Sequence, residues 1–223
     1  MDKPLVFVSA LAFAALAHAE SAPAPDKAPA PAVEKTRPHR LAVGPAFTRA
    51  DYDLKVNGAM TNDFAPENLF GIAVEYGYRF GETSVGFHEV GAHTALLLGS
   101  TDNGPVTTAL AEMPLLARYN YNFKLGDSTR LYVGPRLGFT SIALGIEDEN
   151  TDFLESDSDG AASIGAGIGL RHDFSKRFGI ALGYEYTRST STSFSLKDSG
   201  TSYDAKISSH EAHQVSLSAA WLF

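Results

Sequence analysis

The chain of 223 residues contains no cysteine. A structural disulfide, a thiolate zinc site and a cysteine nucleophile are therefore excluded. Positive charge is also in short supply. Lys and Arg number 18 against 26 Asp and Glu, a formal charge of -8. The basic stripe of a nucleic-acid binder is missing, so no nucleic-acid partner is expected. Beyond the first segment no apolar run approaches the 18 residues of a spanning helix. What is abundant is glycine, 20 residues, and aromatics, 11% of the chain. That composition suits many short strands.

The first segment reads as an address. Lys3 precedes an apolar run from Leu5 to Ala17, and Ala17-His18-Ala19 fits a small-x-small cleavage site. Residues 1–19 are thus expected to be a signal peptide. Residues 20–39, ESAPAPDKAPAPAVEKTRPH, alternate Ala and Pro. Proline fixes φ and removes donors, so this stretch predicts an extended periplasmic linker. Residues 40–223 are left for one folded domain.

From Arg40 onward the pattern has period two, the period of a strand. Phe70, Ile72, Val74, Tyr76, Tyr78 and Phe80 share one face, while Gly71, Ala73, Glu75, Gly77 and Arg79 share the other. The same alternation recurs at Leu115–Phe123, Leu131–Thr140, Ala162–Phe174, Phe178–Tyr186 and Gln214–Phe223. Eight strands are predicted, at 40–50, 69–80, 84–99, 109–123, 130–145, 161–174, 178–190 and 207–223. The phase change between Glu89 and Leu98 suggests a bulge there. Residues 81–83, 124–129 and 175–177 read as short turns. Residues 51–68, 100–108, 146–160 and 191–206 read as longer polar loops. Short turns at one end and long loops at the other characterise a transmembrane barrel. Aromatics fall at matching strand ends: Tyr76, Tyr78 and Phe80; Tyr119, Tyr121 and Phe123; Phe174; Trp221 and Phe223. Phe47, Phe139, Tyr184 and Tyr186 would mark the opposite level. Two aromatic girdles around an apolar band are the bilayer pattern. The fold expected is all-β: an eight-stranded antiparallel up-and-down transmembrane β-barrel.

At this point the chain resembles the small outer-membrane β-barrels of the OmpA/OmpX type, over residues 40–223. It ends Val215-x-Leu217-x-Ala219-x-Trp221-x-Phe223. The resemblance implies that Val215, Leu217, Trp221 and Phe223 are the C-terminal signal read by the barrel assembly machinery. It also implies a place in the bacterial outer membrane, with lipid and lipopolysaccharide as neighbours. Envelope integrity, adhesion and an extracellular ligand held by the loops are the roles it suggests.

Six charges fall on the small or polar face: Glu75, Arg79, Arg118, Arg136, Arg171 and Glu185. An Arg facing lipid would cost roughly 2–4 kcal/mol near the midplane, so these must face inward. An eight-stranded barrel is just wide enough for its own side chains. Unpaired buried charges are expensive, so a paired polar filling is expected. Gly165, Gly167 and Gly169 would leave room for Arg136 or Tyr132. The alternative is a narrow pore for small solutes or ions. A lipid A-modifying enzyme is a weaker reading. Ser209, His210, Glu211, His213 and Ser216 cluster on the last strand, but neighbours such as His210 and Glu211 point to opposite faces. No catalytic residue, cofactor site or metal site is assigned. Glu155-x-Asp157-x-Asp159-Gly160 resembles the start of a calcium loop but lacks the acidic twelfth ligand, the position of Ala166. Phe153 and Leu154 in that loop are a possible partner contact.

Overall fold

Alternating apolar and small side chains put one greasy face on every strand, and the backbone between them must find hydrogen bonds. The computed structural model describes residues 37–56, 59–60, 66–103, 106–148, 153–198 and 201–223. The expected signal peptide and nearly all of the linker lie outside these residues. The strands are β1 (His39–Val56), β2 (Ala59–Met60), β3 (Asn68–Phe80), β4 (Gly86–Asn103) and β5 (Val106–Lys124). They continue as β6 (Thr129–Asp148), β7 (Phe153–Asp173), β8 (Phe178–Ser189), β9 (Thr192–Asp198) and β10 (Thr201–Leu222).

Eight of these form a closed antiparallel ring, β1-β3-β4-β5-β6-β7-β8-β10, with β10 paired back to β1. The two short strands lie beyond the ring. β2 folds back on the end of β1. β9 continues β8 in the same register against β10, after a break at Thr190 and Ser191.

The stagger of the ring can be followed row by row. A row of paired residues leaves β1 at Ala42 and passes Glu75, His93, Leu116, Gly138, Ser163, Ser189 and His210. It returns to β1 at Tyr52, ten residues further along. That stagger tilts the strands by about 40° and lifts each row by about 3 Å per strand. The direction of lift, from β3 round to β10, is away from the termini.

The outward face is the one read from the sequence. Phe70, Ile72, Leu115, Leu137, Phe139, Ile164 and Leu217 are all more than half exposed. Near the termini the aromatics form a belt through ring contacts of His39 with Tyr76, Tyr78 and Phe223, His88 with Phe80 and Tyr121, and Trp221 with Phe178. Its histidines hold tyrosine hydroxyls, His39 to Tyr76 and His88 to Tyr119, both at 2.7 Å. On the other side Phe47 meets Phe70, and His213 meets Tyr184 and Tyr186.

Two expectations are corrected. The polar segments 51–68, 100–108, 146–160 and 191–206 are not mainly loops. Most of their described residues extend the strands to 18–22 residues in β1, β4, β5, β6, β7 and β10. A tilted strand needs only about 9–11 residues to cross a bilayer, so the ring projects past it. Their polarity misled because hairpins outside the membrane carry polar outer faces. The second correction is the bulge. β4 pairs without a shift against both β3 and β5. The apparent phase change arose because its inner face carries Phe87, Ala95 and Leu97 as well as Glu89 and His93, all buried. The register shift falls instead between Tyr52 and Leu54 of β1, opposite His210 and Ile207. Ser208 and Ser209 together oppose the single Asp53 there, one extra residue on β10, and β8–β9 breaks beside them.

The acidic run of β7 has a structural task in this extension and is not a calcium loop. Asp159 accepts the Ser193 N–H at 3.0 Å, and Asp157 accepts that of Ser195 at 2.8 Å. Carboxylates thus stand in for ladder carbonyls between β7 and β9. The backbone N–H groups of Ser193 and Gly160 hold the Asp159 carboxyl below its ordinary value. The side chains of Phe153 and Leu154 lie outside the described residues.

A closed ring predicts that unboiled protein migrates apart from boiled protein on a detergent gel; a single band at one mobility would contradict closure. A depressed carboxyl favours the fold at pH above the ordinary aspartate value of about 3.9 and ceases to do so as pH falls through the lowered value. The Ser193 amide shift should therefore titrate with a midpoint below that of a free aspartate, and Asp159→Ala should abolish the titration in NMR spectra.

Candidate functional site in the barrel lumen

Parity and tilt bring inward side chains from every strand of the ring into a narrow space. In the half nearer the termini these are charged. Glu89 lies at the centre and is fully buried. Arg118 Nη2 donates to it at 2.7 Å, Arg40 Nη2 at 3.1 Å and Arg171 Nη1 at 3.2 Å. Arg79 Nε stands 3.7 Å away. Glu75 takes Arg40 Nη2 at 2.8 Å and is bonded to Arg118. Across the lumen Arg136 is bonded to Glu185 and donates to Asn120 Oδ1 at 2.9 Å. Arg171 also reaches Asn122 at 3.1 Å.

The imbalance of guanidinium over carboxylate is met partly by an aromatic face. Phe87 is buried at the bottom of the lumen, with the guanidinium carbons of Arg79, Arg171 and Arg130 at 5.0, 5.4 and 5.8 Å from its ring centre. A cation over an aromatic face is attracted by the ring quadrupole. Glycines make the space. A Cβ on Gly167 would collide with the Arg136 guanidinium, and one on Gly169 or Gly183 with the Tyr132 ring or hydroxyl.

Above this layer His93 bridges carboxylates, its Nδ1 3.2 Å from Glu185 and 3.8 Å from Glu75. Gln214 faces its Nε2 at 3.3 Å. Glu75, His93 and Glu185 could geometrically gather around one ion. Arg40, Arg118 and Arg136 already neutralise the two carboxylates, so a divalent cation there would meet net repulsion. Higher still, Tyr52 stacks on His210 at 5.0 Å between centroids and is hydrogen bonded to Glu112. His210 Nε2 lies 2.9 Å from the same carboxylate. Between these two polar levels is a cavity of about 20 Å³, lined by His93, Glu185, Gln214, Glu112 and His210 among others. A space of that size holds about one water molecule.

Beyond Tyr52 the filling changes character. Leu54, Leu69, Leu97, Leu110, Ile142, Leu144, Phe194, Ala205 and Ile207 form one buried apolar cluster. The expected polar filling is therefore confined to part of the lumen, and the outer part is packed like a soluble core. Apolar residues close the projecting end because water, not lipid, surrounds it, so the hydrophobic effect acts there.

All six charges singled out in the sequence face inward: Glu75, Arg118, Arg136, Arg171 and Glu185 are buried, and Arg79 partly so. Sequence reasoning missed Arg40, Glu89, His93 and Glu112, all buried. Continuing the parity of β1 and β4 without a bulge would have found Arg40 and Glu89. The serine–histidine–carboxylate cluster of β10 separates: His210 points in to Glu112, Glu211 points out within 3.7 Å of Arg188, and His213 bonds Tyr184 outside.

A closed eight-strand ring with a greasy exterior and a paired charged interior is matched by a family model, the outer membrane protein beta-barrel domain, over residues 5–223. The chain belongs to that family. It is a protein of the bacterial outer membrane. Solved structures similar to it include Ail, the attachment invasion locus protein of Yersinia pestis, with TM-score 0.52 and 16% identity over 84% of this chain and 99% of that one. Ail has also been solved in complex with the heparin analogue sucrose octasulfate. Neisserial surface protein A gives TM-score 0.52 and 11% identity, covering 83% of this chain and 97% of its own. The outer membrane protease OmpT from Escherichia coli gives 0.50 and 8%, covering 83% and 96%. No curated protein matches the sequence. The structural neighbours thus include a protease as well as an attachment protein and a surface protein.

Removing one partner of a buried ion network leaves the others uncompensated, at a cost of about 3–5 kcal/mol. Glu89→Ala, which removes a carboxylate shared by four guanidiniums, should lower unfolding stability by that order in urea titrations of the folded barrel. Arg49→Ala removes an exposed pair with Glu67 at 3.6 Å and should change it by less than about 1 kcal/mol.

Proposed function

We propose that this barrel is a structural and surface-interaction element of the outer membrane, and that it neither conducts nor catalyses. The observation that carries the reading is the double closure of the lumen. The Glu89 network fills one part and the apolar cluster with Phe194 and Ile207 fills the other. An ion would have to break several buried pairs and then cross a dry core. The six charges and their additional partners act in this reading as the rigid filling of the wall. Val215, Leu217, Trp221 and Phe223 act as the assembly signal, with Leu217, Trp221 and Phe223 presented outward on the last strand. Residues 1–19 act as the export signal and 20–39 as the linker, whose last residue, His39, opens β1.

The non-enzymatic reading is supported by the bonding of the β10 cluster: His210 turns inward to Glu112, while on the outer face Glu211 pairs with Arg188 and His213 bonds Tyr184, neither engaging Ser209. A hydrolytic triad needs these groups in one hydrogen-bonded line. Function then falls to the projecting strands and the lipid-facing wall. That two structural neighbours are an attachment protein and a surface protein fits this assignment.

Planar bilayers should show no unitary conductance from the wild-type protein. Discrete conductance steps that vanish on substituting Arg118 or Arg171 would replace the structural reading with a pore.

A further inference from the structure

The outer wall is not uniformly convex. Where β8–β9 breaks and β10 carries its one extra residue, four small side chains meet: Thr190, Ser191, Ser208 and Ser209. With Ala162 they leave a groove of about 540 Å³ on the outside of the barrel. Its apolar wall is Leu137 and Ile164, each 64% exposed. Its far end is Arg188.

The order of these groups follows from the tilt. Leu137, Ile164 and Arg188 belong to one paired row across β6, β7 and β8. That row rises by about 3 Å per strand away from the termini. Leu137 therefore lies deepest in the bilayer, Ile164 above it, and Arg188 highest. Tyr184 and Tyr186, the aromatics of the outer girdle, are the outward residues just below Arg188 on β8. Arg188 is thus at the headgroup level, with an apolar slot running down from it.

Arg188 is open to a ligand. Its side chain is 65% exposed, and its partner Glu211 is 3.7 Å away. An exposed pair of that kind contributes about 0–1 kcal/mol, so an anion can displace it. The hydroxyls beside it differ in use. Thr190 Oγ1 accepts the Ala162 N–H at 3.1 Å, and Ser208 donates to the Asp53 carbonyl at 3.3 Å. Ser191 and Ser209 have no hydrogen-bond partner among the described residues. A guanidinium and two hydroxyls above an apolar slot complement a molecule with a phosphate, sugar-type oxygens and an acyl chain.

We propose that this groove is a specific site for a phosphorylated, acylated glycolipid of the outer leaflet, the chemistry of the lipopolysaccharide anchor. One acyl chain lies along Leu137 and Ile164 over Ala162. The phosphate pairs with Arg188, and Ser191 and Ser209 bond headgroup oxygens. The site deepens the surface-interaction reading and depends on the outer-membrane placement, but not on the lumen being closed.

The test uses the full barrel folded in detergent micelles, its fold checked for each variant by the unboiled gel shift. Diphosphorylated lipid A is titrated in and bound molecules are counted by native mass spectrometry. Phosphatidylglycerol is titrated in parallel. Loss of a charge-assisted contact is worth about tenfold in affinity. Arg188→Ala should weaken the tightest lipid A molecule by roughly that factor, and Ala162→Phe, which fills the slot and keeps the charge, by a similar factor. Arg49→Ala, the same charge loss outside the groove, should leave it unchanged. Equal weakening by Arg49→Ala would reduce the effect to general surface charge and overturn the site. Phosphatidylglycerol binding as tightly as lipid A, with the same sensitivity to Arg188→Ala, would overturn the glycolipid assignment. Unchanged binding in all variants would overturn the groove altogether. None of these results alters the bilayer conductance, so failure here and failure of the closed-lumen reading are separable.

Discussion

Lipid offers a backbone no hydrogen bonds. Every N–H and C=O at membrane depth must therefore be satisfied within the protein, and a sheet can do this only by closing. The pairing of β10 with β1 meets that demand, and the rest of the structure follows from it. Closure with eight strands and a stagger of ten residues sets the tilt. Tilt and strand number set a lumen that only side chains can fill. The alternation of the strands then sends every second residue into it, whatever its charge.

That confinement explains why the interior is divided. At membrane depth the inward positions carry Arg and Glu, and they persist because Glu75, Glu89 and Glu185 supply the guanidiniums with partners in the right places. Where the ring projects into water, the same inward positions carry Leu, Ile and Phe. There the hydrophobic effect gives cohesion that the lipid-facing wall cannot provide. The Tyr52–Glu112–His210 cluster sits at the boundary between the two fillings. The local shift at Ser208 and Ser209 lies at the same boundary, and on the outside it leaves the groove beside Arg188.

Much of the ring was legible residue by residue. The outer face of β3, Phe70 to Phe80, and the inner placement of Arg118, Arg136 and Arg171 follow from parity alone. Arg40 and Glu89 did not stand out because their strands carry apolar residues on both faces. On β4, buried Phe87 and Leu97 resemble a lipid-facing run. Polar composition likewise disguised the projecting halves of β7 and β10 as loops. Period-two reading assumes one greasy face, and it fails where both faces are apolar or both are polar.

The sequence by itself determined strand number, wall orientation and membrane class, because each depends on a local alternation repeated many times. It also determined that inward charges must be paired, because the cost of leaving them unpaired in so narrow a lumen is too large. The partners were decided only by tertiary structure. Arg40 and Glu89 are 49 residues apart, and Arg171 and Glu89 are 82 apart. Only the stagger of the closed ring brings them to one level. The same holds for the groove, whose Leu137, Ile164, Arg188 and Ser209 lie on four strands and meet only because β6, β7, β8 and β10 pair side by side in the ring.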